Sequence, residues 1–118
     1  MFRICFQAAT AFRQAIAKDS TYARAWSGFA DTYALSVPSE YGVPGVTDHA
    51  ILPLAEAAAR KAIALAPALG EAYASLGEVL EKRNRFPEAL AAFERAIALS
   101  PAYATGHQWY SYALMANR

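Results

Sequence analysis

Asp31, Glu71, Glu78 and Glu81 are the side chains whose types and spacing point most directly to chemistry in this chain. Set against the two neighbouring cations Arg24 and Lys82, they suit ion pairing with a basic partner. A charged stripe that is simply solvated is the competing reading, since exposed charges contribute little energy. Bond-making chemistry has no support. The carboxylates stand singly on what read as exposed helix faces, and no G-x-S-x-G, phosphate loop or G-x-G-x-x-G run is present. Cys5 is the sole cysteine, which excludes an intrachain disulfide and a cysteine-based metal site and fits a small buried hydrophobe. His49 and His107 lack the spacing of a metal pair. No cofactor or metal is expected.

The elements that position these side chains are repeated. The segment 11–20, AFRQAIAKDS, returns as AARKAIALAP at 58–67 and as AFERAIALSP at 92–101, at spacings of 47 and 34 residues. The intervening stretch 22–33 aligns at the same offsets with 69–80 and 103–114. A fixed period in this range means one supersecondary unit copied along a stack. Trp26, Phe29 and Tyr33 fall at i, i+3 and i+7 on one helical stripe, while Ala30 and Gly77 mark where a neighbouring helix must come close. Alanine supplies 29 of 118 residues, favouring helix and letting helices approach with little bulk between them. Pro67 and Pro101 sit where the second helix of each unit must end. Helices are predicted near 2–19, 22–36, 48–66, 70–84, 87–100 and 103–117. Pro53 predicts a late start or a small bend in the third.

Trp26, Phe29, Ala30 and Tyr33 with Ala55, Ala59, Ala62 and Pro67 resemble the tetratricopeptide repeat, a 34-residue helix-turn-helix. Tyr73, Leu76, Gly77 and Leu80 with Ala89, Phe93, Ala96 and Pro101 resemble it again. The resemblance implies an all-α, right-handed solenoid of about six antiparallel helices in a single domain. It divides as a half repeat 2–20, a repeat 22–68 with a 13-residue insertion, a repeat 69–102 and a half repeat 103–118. The phrases 22–26, 70–77 and 104–110 further resemble arrays that bacteria append to winged-helix transcriptional regulators, adenylate cyclases and serine/threonine kinases. A regulatory or signalling context is implied.

In such arrays the first helix of each unit lines the concave face. The resemblance therefore places Arg24, Ser27, Asp31 and Ala34, then Glu71, Ala74, Glu78, Glu81 and Lys82, then Thr105, Gln108, Trp109, Tyr112 and Met115 in the groove. The middle of this surface is acidic and its C-terminal end aromatic, which predicts a protein or peptide partner that is basic or amphipathic. The basic and asparagine clamp with which some family members hold a chaperone's acidic C-terminus is missing, because Ser27, Asp31, Ser75, Thr105 and Trp109 fill its slots. His107 occupies the slot of Trp26 and Tyr73 and is expected to pack.

The insertion between Ser36 and Asp48 carries two prolines and two glycines within 37–46, which favours turns. Its readings are a spacer docked through Tyr41, Val43 and Val46, or a lip over the groove. Eleven basic and ten acidic side chains are scattered, for a net charge of +1, so no phosphate-tracking patch exists and nucleic acid is not expected. Arg13, Glu56 and Arg60 interrupt the longest apolar runs, and residues 1–6 lack the apolar length of a signal peptide. A cytoplasmic setting without membrane contact is expected. Two functions follow: a non-catalytic scaffold holding a peptide or partner helix in its groove, or a structural segment that self-associates. The second would use apolar residues of the end helices, Phe2, Ile4, Phe6 and Phe12 at one end and Trp109, Tyr110, Tyr112 and Leu114 at the other.

Overall fold

A computed structural model describes residues 2–35 and 48–116. The 36–47 insertion and the side chains of Phe2, Ile4, Cys5, Phe6 and His49 lie outside the described residues. The described residues form six helices: α1 (Phe2–Lys18), α2 (Ala23–Leu35), α3 (Asp48–Leu65), α4 (Gly70–Lys82), α5 (Phe86–Leu99) and α6 (Ala104–Ala116). Consecutive helices pack on one another, and α2, α4 and α6 also touch in series, so they form one continuous layer. The described residues form an all-α solenoid of the tetratricopeptide type, with no strand among them.

Local chemistry fixes the turns. Asp19 Oδ1 accepts from the Thr21 backbone N–H at 2.9 Å and from its hydroxyl at 2.6 Å, closing the turn between α1 and α2. At the end of α4, Asn84 adopts φ 63°, the left-handed region that asparagine tolerates better than most residues. Its N–H donates to the Glu81 carbonyl and the Arg85 N–H to the Leu80 carbonyl, both at 2.9 Å, so two carbonyls orphaned by the helix end are satisfied. Pro87 lies in the first turn of α5, where a missing N–H costs nothing. Of the two outcomes predicted for Pro53, the late start does not occur: α3 starts at Asp48 and runs through the exposed proline. One backbone bond is lost there, and packing of the alanines that follow holds the helix.

Small residues set how closely the helices approach. A Cβ on Gly77 would lie 2.7 Å from the Phe93 ring, and one on Gly28 would lie 2.3 Å from the Phe12 ring. Phe93 is fully buried among Ala30, Ala58, Ala59, Leu76, Leu80, Ala89 and Ala92. A second cluster joins Tyr33, Ala34, Ile51, Ala55 and Val79. Each large side chain thus fills space that a ring of alanines leaves open, and full burial of one such side chain is worth roughly 1.5–3 kcal/mol.

The expectation that carboxylates lie on exposed faces fails at Glu56. Its side chain, 13% exposed, accepts from Arg60 within α3 and from Arg83 and Arg85 of the α4–α5 turn, each at 2.9 Å. Burial pushes the Glu56 carboxyl up, but Arg60, Arg85 and Arg83 together hold it below the usual range. This hub ties α3 to the turn that launches α5.

Candidate functional site

The layer of α2, α4 and α6 gathers the predicted groove residues, though not as a uniform surface. Arg24 of α2 is 60% exposed and donates from Nη1 to both carboxylate oxygens of Glu71 on α4 at 2.7 Å. Ser27 and Ser75 are buried between the two helices with their hydroxyls 2.7 Å apart. Ala34 and Ala74 are fully buried. Ser27, Ala34 and Ala74 were expected in the groove; instead their small side chains let α2, α4 and α6 close on one another, and they contribute shape rather than contact.

Glu78, also expected to be open, is 5% exposed. Its cationic neighbour Lys82 comes only to 3.8 Å, beyond hydrogen-bond length. Burial pushes its carboxyl up, Glu81 adds to that, and Lys82 opposes it. Glu81 and Lys82 are half-buried at the end of α4. Burial raises Glu81 while Lys82 pulls it down.

Asp31 is the unusual member. The residue is partly open to solvent, yet its Oδ1 is covered and has no hydrogen-bond partner. The Ser75 hydroxyl supports the carboxyl. That hydroxyl also donates to the Glu71 carbonyl at 3.0 Å and lies 2.7 Å from Ser27 Oγ, a pair in which either hydroxyl can donate, so Asp31 competes for its single hydrogen. Burial first, then the neighbouring Glu78 and Glu71, push Asp31 up to about 7, against the Ser75 hydroxyl.

Ser75, named above only as filling a clamp slot, belongs to the site. Tyr103, in the turn before α6, was not assigned to it; its hydroxyl is raised by burial and then by the charge of Asp31, with Thr105 bonding it. An aromatic residue recurs in this slot as Tyr22, and that recurrence was the available signal. On α6, Gln108, Tyr112 and Met115 are exposed, with Gln108 Nε2 donating to the Tyr112 hydroxyl at 3.1 Å. Trp109 is half-buried against the core.

His107 does not pack as predicted. It is exposed, and its Nε2 lies 2.8 Å from the Pro101 carbonyl, six residues upstream. Trp26 makes the same bond, Nε1–H to the Ser20 carbonyl at 2.9 Å and again six residues upstream. The slot is therefore a ring N–H that pins the start of a first helix to the preceding turn, which sets His107 as the tautomer protonated on Nε2.

A separate apolar cleft of about 420 Å³ lies between α1, α2 and α3. Trp26, Phe29, Tyr33 and Leu54 wall it, with Arg13 and Lys61 as its charges. Arg13 donates to the Tyr33 hydroxyl and stands 5.8 Å from the Phe29 ring centroid. Among the described residues, no group of three or more His, Cys, Asp or Glu is placed to hold a metal ion. No helix among them is long and apolar enough to cross a membrane.

The profile of the tetratricopeptide repeat family matches residues 70–103, the unit formed by α4 and α5. The TPR domain of Arabidopsis OM64 is similar in structure, with TM-score 0.65 over 94% of this chain and 92% of that one, at 18% identity. Residues 70–103 are a tetratricopeptide repeat, and the chain shares the fold of such domains. The structural likeness shows the fold alone at that identity. Among curated proteins no sequence matches this repeat protein.

Proposed function

We propose that this repeat protein is a non-catalytic scaffold whose α2–α4–α6 face holds a basic or amphipathic peptide or partner helix. One observation carries the reading. The face combines carboxylates that lack full cationic compensation, Asp31, Glu78 and Glu81, with an exposed strip of Tyr112 and Met115 on α6. Charge complementarity would set encounter rate and selectivity, and the apolar strip would supply buried area. The long dimension of the molecule is 34 Å, which limits an extended segment to about ten residues at ~3.3 Å each. The phrases at 22–26, 70–77 and 104–110 support a place in a bacterial regulatory or signalling protein, and with it a cytoplasmic setting.

A display selection of ten-residue peptides against the immobilised protein tests the reading. Selected peptides should be enriched in lysine, arginine and large apolar residues, and Glu81→Lys combined with Tyr112→Ser should abolish their retention. Peptides retained equally by that variant would move the interaction off this face. A second reading, self-association, rests on Tyr112, Leu114 and Met115, which are 56%, 44% and 64% exposed on the last helix. Sedimentation of the same variant separates the two: loss of an oligomer with peptide retention unchanged favours the second.

A further inference from the structure

We infer that Asp31, flanked by Ser75, Glu78 and Tyr103, is a subsite for a single primary ammonium group, supplied by a lysine side chain of the partner. The inference rests on the scaffold reading above and names the chemistry of one anchor within it.

Asp31 lacks a partner at one carboxylate oxygen. Its Oδ1 is covered yet accepts no hydrogen bond, whereas Glu56, another deeply placed acid, has three guanidinium donors. The neighbouring donors are committed. Arg24 is held by both oxygens of Glu71, and the Ser75 hydroxyl donates to the Glu71 carbonyl and pairs with the Ser27 hydroxyl. Lys82 leans on Glu78 from the far end of α4. The groups that face Asp31 from the packed elements are Glu71 and Glu78 of α4 and Tyr103 before α6, and none of them brings positive charge. The missing component is a compact cation bearing N–H donors. An ammonium has three such donors on a point charge and a slim four-carbon stem, whereas a planar guanidinium needs a wider opening and a bidentate partner. Oδ1 itself is covered, so the ammonium approaches the carboxyl where the partly buried residue still meets solvent.

Protonation supports the same geometry. Asp31 is pushed up to about 7, first by burial and then by Glu78 and Glu71. A bound ammonium favours the ionised carboxylate, so the proton must leave on binding. With a free-state value near 7 and a bound state that is fully ionised, affinity rises about tenfold from pH 6 to pH 8.

The test needs no partner. The full chain, labelled with carbon-13 at its carboxyls, is titrated with n-butylammonium, n-butanol, tetramethylammonium and alaninamide while the Asp31 carboxyl and the Ser75 amide are followed by NMR. We expect a saturable shift with n-butylammonium only, about tenfold tighter at pH 8 than at pH 6, and abolished in Asp31→Asn. No saturation, or equal saturation by n-butanol, would overturn the proposal and leave a bound water as the partner of Oδ1. Binding of alaninamide alone would overturn the lysine assignment in favour of a chain N-terminus. The pH comparison uses the unaltered protein, so the proposal stays falsifiable if the variant folds poorly. Selected peptides that bind the face yet tolerate lysine→norleucine at every position would sink this subsite while leaving the scaffold reading intact.

Discussion

Replacing Gly77 by alanine should destabilise the protein although it improves helix propensity. In an unstrained helix interior the change gains about 1 kcal/mol. Here the new Cβ would stand 2.7, 2.8 and 2.9 Å from three carbons of the Phe93 ring, against the ~3.5–4.0 Å at which carbon contacts become favourable. The shortfall is about 1 Å. Phe93 has no room to yield it, being fully buried with Ala89 and Ala92 around it and the Tyr110 ring 6.3 Å away. Overpacking of this kind costs ~1–3 kcal/mol, so at most the propensity gain is cancelled and at worst about 2 kcal/mol is lost. At roughly 3–6 °C per kcal/mol for a domain of this size, the midpoint of a circular-dichroism melt should fall by as much as ~10 °C. Gly106→Ala is the internal control, since its Cβ meets only Tyr103 at 3.3 Å and Ala74 at 3.9 Å, so its midpoint should stay level or rise. Phe93→Leu should hurt less in the Gly77→Ala background than alone, a coupling that a double-mutant cycle reads directly. A Gly77→Ala midpoint clearly above wild type would refute the close approach of α4 and α5.

Three further outcomes follow from the charged groups. Asp31 is raised in the fold, so the folded state binds the extra proton between the unfolded value, 3.8, and about 7, and stability falls as pH rises through that window. Asp31→Asn should therefore raise the unfolding free energy at pH 8, by an amount on the order of a few kcal/mol, and leave it nearly unchanged at pH 4, as urea unfolding at the two pH values would read; equal changes at both would contradict the burial of the carboxyl. Glu56 is depressed in the fold, so its contribution is present above the ordinary carboxylate value and is lost as pH falls through the lower folded value. Glu56→Gln should cost about 1–2 kcal/mol in urea unfolding at pH 7, discounted for the partial exposure of Arg83 and Arg85, and the loss should vanish on the acid limb. Arg24→Ala removes an exposed pair and should cost less than ~1 kcal/mol at low salt and nothing measurable at high salt; a larger loss would mean that the Arg24–Glu71 pair braces α2 on α4.

The helices were legible because every copy writes the same slots: a small residue at Ala30 and Gly77, large ones at Trp26, Tyr73 and Phe93, and proline at 67 and 101. Each of the six helices lies within a few residues of its predicted span. The groove was legible as a stripe but not as a surface. Periodicity assigns Ser27, Ala74 and Glu78 to the same helical side as Arg24 and Glu71, and it carries no information on how near the adjacent first helix comes. That distance is set by pairs across the interface, here Ser27 against Ser75 with hydroxyls 2.7 Å apart, and their closeness carries Glu78 under cover one turn later. His107 was misread for a related reason. Its slot was judged by the bulk of Trp26 and Tyr73, while the shared property of Trp26 and His107 is a ring N–H that reaches a carbonyl six residues back.

Glu56 and Asp31 make opposite use of burial. Both carboxyls leave water, and both lose solvation for which something must compensate. Glu56 receives three guanidinium groups and ends below its ordinary range, so its burial ties α3 to the α4–α5 turn. Asp31 receives one shared hydroxyl, faces two further carboxylates and ends near neutrality, so its burial stabilises nothing in the isolated fold. The chain evidently possesses the means to neutralise a buried acid, and eleven basic residues to do it with. Leaving Asp31 without one keeps a few kcal/mol of electrostatic free energy available to whatever cation completes the site, while the same group at Glu56 would find no vacancy. Recognition and stability are thereby separated within one small solenoid: a basic ligand should perturb Asp31 and Ser75 and leave the Glu56 hub as it is.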